Sequence, residues 1–131
     1  MVKLIFIVLV VATLFTGVIL WQIKSQSQNT PPVSDMEAVK GEAVITIMEE
    51  GFSPSEVKIK VGSAVRFVNK SKQWHWPASD LHPTHTLYPE FDPKKTIGPG
   101  EEWTFTFEKT GEWGFHDHLG AYLTGTVIVV K

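Results

Sequence analysis

The stretch Val57-Lys58-Ile59-Lys60-Val61-Gly62-Ser63-Ala64-Val65-Arg66-Phe67-Val68-Asn69 decides the fold. Apolar Val57, Ile59 and Val61 alternate with Lys58 and Lys60. Gly62-Ser63 is a turn, and Val65 and Phe67 then alternate with Arg66. Alternation of period two puts one face of each segment in a core and the other in water, which predicts two β-strands. The same period extends upstream, where Ala43, Ile45 and Ile47 alternate with Val44, Thr46 and Met48 before a turn at Gly51-Phe52-Ser53-Pro54. Downstream, Gly98-Pro99-Gly100 turns into Trp103, Phe105 and Phe107, alternating with Thr104 and Thr106. Lys109-Thr110-Gly111 turns again, Trp113 and Phe115 open another strand, and Thr126 to Val130 is a β-branched run. No segment of this part keeps a helical period beyond a turn. Six or seven short strands with turn signals between them predict an all-β domain, a β-sandwich with Greek-key connections. Its expected core is Ile45, Ile47, Val57, Ile59, Val61, Val65, Phe67, Phe105, Phe107, Trp113, Phe115, Val127 and Val129.

The remainder of the 131 residues divides by composition. Leu4 to Trp21 is an apolar run of 18 residues interrupted by Thr13, Thr16 and Gly17. As a helix it would span about 27 Å, close to the roughly 30 Å hydrocarbon core of a bilayer. Residues 1–24 are therefore expected to form an N-terminal transmembrane helix, with Trp21 and Lys24 at the far interface. The rival reading is a cleaved signal peptide; the run is longer than the usual apolar region of one, and no Ala-x-Ala follows it. Residues 25–41, polar and carrying Pro31-Pro32, are expected to be a flexible linker. Residues 42–131 are the folded domain, expected on the extracytoplasmic side of a membrane. The net charge of −2 gives no broad basic field, so no nucleic-acid partner is expected. With no cysteine in the chain, disulfides, thiolate metal sites and cysteine nucleophiles are excluded together.

All five histidines lie between positions 75 and 118. His116 and His118 are two apart, so on a strand they share a face while Asp117 points the other way. Gly114 and Gly120 leave room there for a neighbouring loop. A second cluster, Trp74-His75-Trp76-Pro77-Ala78-Ser79-Asp80-Leu81-His82-Pro83-Thr84-His85, falls in an aperiodic segment from Lys70 to Ile97 that is long for a loop in a small domain. Neutral imidazoles suit copper, zinc, nickel or iron. The candidate ligands are His75, His85, His116 and His118, with His82 in reserve. Asp117 is expected to accept a hydrogen bond from an imidazole, and Asp80, Glu90 and Asp92 to be solvated loop charges. No nucleophile elbow, phosphate-binding loop or dinucleotide fingerprint is present.

These residues also carry a resemblance. Val61 to Asn69 followed by His75, Gly98-Pro99-Gly100-Glu101 before an aromatic strand, Gly111-x-Trp113-x-Phe115, and Gly125-Thr126-Val127-Ile128-Val129 resemble cupredoxins, most closely the EfeO-type cupredoxin-like domains, over about residues 42–131. The resemblance implies a Greek-key sandwich with copper bound at one end. It places His75 at the first histidine ligand. The cysteine of a blue-copper site falls at Asp117, the second histidine at Gly120 and the axial methionine at Leu123. Three of the four type-1 ligands are thus absent, and a blue site needs a copper–thiolate bond.

The expectation is therefore a membrane-anchored domain that binds a transition metal, copper first and zinc second, through a rebuilt histidine site. Its role would be metal binding or handover, with a redox or metal-transfer protein as partner, rather than blue-copper electron transfer. One alternative is a type-2 copper metalloenzyme. Another is a metal-free binding module in which Trp74 and Trp76 anchor a partner.

Overall fold

The computed structural model describes residues 36–131. The expected transmembrane segment, 1–24, and residues 25–35 of the expected linker lie outside the described residues. Among the described residues no helix is long and apolar enough to cross a membrane.

Eight strands form the domain: β1 (Glu42–Met48), β2 (Gly51–Ser53), β3 (Glu56–Lys60), β4 (Ala64–Asn69), β5 (Pro77–Ser79), β6 (Glu102–Thr106), β7 (Gly111–Asp117) and β8 (Gly120–Val130). They make two four-stranded sheets, ordered β2-β1-β4-β6 and β3-β8-β7-β5. The chain changes sheet at every connection from β2 to β7. In each sheet one pair is parallel, β1 with β4 and β3 with β8.

The period-two faces become the space between the sheets. Ala43, Ile45 and Ile47 of β1 lie beside Val65 and Phe67 of β4, and all five are buried. From the other sheet come Val57 and Ile59 of β3, Phe115 of β7, and Val127 and Val129 of β8. Full burial of one such side chain stabilises the fold by roughly 1.5–3 kcal/mol. Phe107 is also fully buried, while Phe105, Trp103 and Trp113 pack partly buried against the same cluster. Val61 differs from its expected place: it lies just past β3, where the period ends at the turn, and is 41% exposed.

Two of the strands lie in stretches read as turn or loop. β2 occupies the Gly51 turn and buries Phe52. β5 lies inside the Lys70–Ile97 segment and pairs with the end of β7, Ala78 opposite His116 and Pro77 opposite Asp117. The rest of that segment is pinned rather than loose. Tyr88, Phe91 and Ile97 are buried in the core. The Phe91 ring stacks on Trp103 (5.8 Å, 6°) and Phe105 (5.2 Å, 27°). Ser79 N–H donates to Phe91 O, and Tyr88 N–H donates to Ser79 Oγ. The segment thereby folds back over β5, bringing its histidines against the end of β7.

Candidate metal centre

β7 ends in an irregularity between His116 and Asp117, and β8 begins at Gly120. Across it the partner changes from Thr124 to Gly120, so Ala121 to Leu123 of β8 are extra to the ladder and the hairpin bends there. His116, in β7, and His118, in the turn, both enter one cluster with ring centroids 6.3 Å apart, while Asp117 points elsewhere. This matches the shared face expected of the two histidines.

The loop supplies the other two members. The His82 ring lies 5.1 Å from that of His116 and 4.9 Å from that of His118. His85 lies 5.3 Å from His116 and 4.9 Å from His118. One nitrogen each from His82, His116 and His118 falls within a span of 4.8 Å. His85 Nε2 is 2.9 Å from His118 Nδ1. Nitrogens bound to one ion at about 2.0–2.1 Å are at most about 4 Å apart, so small side-chain rotations would close the set.

Carboxylates fix two of these rings. His116 Nδ1 is 2.8 Å from Asp80 Oδ1, and His85 Nδ1 is 2.7 Å from Asp92 Oδ2. An ionised carboxylate only accepts, so each Nδ1–H donates. Neutral His85 and His116 therefore each turn an Nε2 lone pair into the cluster; that of His85 accepts from His118 Nδ1–H, and that of His116 is free. A carboxylate behind an imidazole is also the usual support of a metal-bound histidine, fixing tautomer and ring orientation. His116 Nε2 is buried without a hydrogen-bond partner; among the described residues only Glu56 Oε1 shares that condition. Buried polar atoms are otherwise almost always paired, and a lone pair left open among imidazoles is the donor a soft or borderline cation takes. Gly114 makes the Asp80 contact reachable: a Cβ there would stand 2.5 Å from Asp80 Oδ2.

Asp92 is held further. Its Oδ1 accepts from Trp76 Nε1 and Lys94 N, and its Oδ2 also accepts from Lys94 Nζ. Burial alone would raise its carboxyl, but the hydrogen bonds from Lys94, Trp76 and His85 outweigh that and hold it well below the usual aspartate range. Asp92 is thus buried and paired rather than solvated, a correction to its expected role, and Asp80 is likewise bonded. His85 has φ 51°, in the left-handed region, and its N–H donates to Leu81 O. A non-glycine residue is kept there only when its surroundings over-determine it; here Asp92 holds the ring and Leu81 the backbone. His118 is pushed below the ordinary histidine value by burial first, then by repulsion from His85, His82 and His116. Trp76 covers its ring at 4.7 Å. Trp74, in contrast, is 58% exposed.

His75 stands apart from this group. It is 2% exposed, with Nδ1 2.7 Å from Asp117 Oδ2 and Nε2 2.7 Å from Ser71 Oγ. Both ring nitrogens are engaged. Asp117 accepts from an imidazole, as expected. Of the five candidates, then, the structure gathers His82, His85, His116 and His118, and sets His75 beside them with other partners. Asp80, Asp92, Ser71 and Trp76 complete the surroundings. The sequence offered a signal for Trp76 alone, by its place beside His75. A groove of about 400 Å³ lies elsewhere, between β2 and β8, lined among others by Met48, Phe52, Tyr122 and Leu123; no histidine lines it.

Solved structures of the same architecture include a purple cupredoxin from Nitrosopumilus maritimus, 21% identical, with a TM-score of 0.60 over 67% of this chain and 99% of that one. A reduced amicyanin variant is 21% identical, with a TM-score of 0.60 over 69% of this chain and 83% of that one. A Cu(I) form of another amicyanin variant is 21% identical, with a TM-score of 0.60 over 72% and 87%. No curated protein matches the chain in sequence. The family described as "Cupredoxin-like domain" matches residues 10–129. With two facing sheets and that match over most of its length, the chain belongs to the cupredoxin-like domain family.

Proposed function

We propose that this domain binds a transition metal ion, copper(II) foremost and zinc second, through His82, His85, His116 and His118. The observation that carries the reading is His116. Its Nδ1–H is tied to Asp80, and its buried Nε2 has no partner and faces three other imidazoles. Four neutral imidazoles make a borderline nitrogen site suited to copper or zinc. The amicyanin neighbour recorded with Cu(I) is consistent with copper at this fold. Bound there, the ion would supply a redox-active or Lewis-acid centre. The chain would supply two rings oriented by Asp80 and Asp92, a Trp76 cover over His118, and an exposed ligand, His82, at the mouth.

Exposure of His82, beside buried His85 and His116, favours a site that loads and releases its ion, and hence metal binding or handover to a protein partner. The absence of cysteine makes blue-copper electron transfer chemically unavailable. The apolar run Leu4 to Trp21, long enough as a helix to cross a bilayer, supports membrane anchorage.

The test is metal analysis with electron paramagnetic resonance on the copper-loaded full-length chain. One ion per chain is expected, with nitrogen hyperfine structure and no intense thiolate absorption. His116→Ala should weaken binding at least tenfold. Because the ligands must be neutral, affinity should fall as pH drops through about 6.5. Substoichiometric metal, or unchanged affinity in His116→Ala, would overturn the reading.

A further inference from the structure

We infer that His75 is a positioning residue and not a ligand: with Asp117 it forms a clasp that holds the turn carrying His118. The inference rests on the metal-site reading above and names how that site is held.

The clasp is visible on both of its sides. His75 is tied to the chain by its backbone, with its N–H donating to Ile97 O at 3.1 Å and its O accepting from Ile97 N at 2.8 Å. Its ring reaches Asp117 Oδ2 through Nδ1, and its Nε2 meets Ser71 Oγ, which in turn sits against Asn69 Oδ1 at 2.9 Å. Asp117, 2% exposed, uses its other oxygen to accept from Trp76 N at 2.8 Å and Leu119 N at 3.1 Å. His118 N–H donates to Trp76 O at 2.8 Å. One carboxylate therefore fixes the residue after His118 and also the loop residue to which the His118 backbone is bonded.

For His75 to coordinate an ion in the cluster, a ring nitrogen would have to leave Asp117 or Ser71. Leaving Asp117 would strip a buried carboxylate of its charge-assisted partner. His116, by contrast, already has an open lone pair and gives up nothing. The Ser71–His75–Asp117 array has the connectivity of a hydrolytic triad, but Ser71 is 4% exposed and its oxygen also accepts from Gln73 N at 3.0 Å. No substrate carbonyl can approach it, so the array is a support.

The experiment compares His75→Ala, His75→Asn and Asp117→Ala in the full-length chain. Asn places an amide N–H near the position of Nδ1 and can restore the bond to Asp117, but it is a poor copper ligand. A clasp predicts that His75→Ala and Asp117→Ala each weaken copper binding by about 10–100-fold. The double variant should be no worse than either single one. His75→Asn should recover most of the loss. Pulsed electron paramagnetic resonance should count the same number of coordinated imidazoles in the wild type, His75→Asn and His75→Ala. One imidazole fewer in both His75 variants, with no recovery by Asn, would overturn the inference. Amide exchange in the metal-free chain is the independent arm. Protection of His118 and Leu119 should be lost in His75→Ala and kept in His75→Asn, and equal protection in the two would also overturn it. A wild type that takes up no metal would remove the metal-site reading while leaving the exchange result to decide the clasp. If His75→Ala does not fold, Asp117→Asn takes its place in the binding and exchange measurements.

Discussion

At the scale of single residues, two carboxylates hold the rings of the cluster, Asp80 that of His116 and Asp92 that of His85. Asp92 lies seven positions after His85 in a loop with other charges, and nothing in that spacing marks it as buried. The structure folds it under Trp76 and against His85. Removing it leaves His85 free to rotate and to change tautomer. Asp92→Ala should lower metal affinity by about 10–100-fold, checked by competition against a chelator of known affinity; an unchanged constant would show that Asp92 serves the fold alone. His118 makes a different prediction. Its folded-state pKa lies below the ordinary 6.5, so the unfolded chain takes up the proton first as pH falls. The stability this group contributes is present above the ordinary value and is lost as pH falls through the folded one. The metal-free chain should therefore melt at progressively lower temperature as pH goes from about 7 to about 5, and His118→Asn should flatten that slope. Parallel slopes in the two proteins would assign the effect to another group.

At the scale of elements, what the sequence showed depended on length. Strands of five residues or more, such as β1, β3, β4 and β6, announced themselves by alternation. β2 and β5 have three residues each, too few for a period, and each lies among prolines or glycines that signal a turn. The irregular pattern of the long segment holding β5 reads as a functional loop, and two of its histidines, His82 and His85, reach the cluster. Its anchoring to the core was not legible, because Tyr88, Phe91 and Ile97 are spaced with no strand or helix repeat. Phe91 is the main anchor, fully buried and in contact with Phe67, Trp103, Phe105, Phe107 and Phe115. Phe91→Ala should cost about 3–5 kcal/mol in urea unfolding. Because Asp92 is the next residue, metal affinity should fall as well. Loss of stability with full affinity would mean that the loop holds its ligands without this anchor.

At the scale of the whole molecule, the sandwich and the identity of its core were open to sequence reading, because a two-layer fold needs one apolar face per strand. The ligand set was less open. His75 and Asp117 stand where the family resemblance puts a histidine and a cysteine ligand, and here they bond to one another. The histidine cluster lies beside them, assembled from a loop and a turn whose meeting only the folded chain shows. A ligand that binds the folded state alone stabilises it by about 2.7 kcal/mol at one hundred times its dissociation constant. For a domain of this size that raises the melting midpoint by roughly 10–20 °C. Copper(II) should produce such a shift in the wild type and no more than about half of it in His116→Ala, whose affinity is at least tenfold lower; equal shifts in both would place the ion elsewhere. The pairing of β8 with β3 is the longest-range contact in its sheet. Val127 lies opposite Val57 and Val129 opposite Ile59, contacts between segments far apart in the chain, and such contacts form slowly. The turn bearing His116 and His118, by contrast, joins β7 and β8, which pair locally as a hairpin, and His82 and His85 come to it from the segment whose β5 pairs with β7. Because the four rings come from two separate segments, the cluster exists only in the folded sandwich, and an ion held by it would stabilise that state alone.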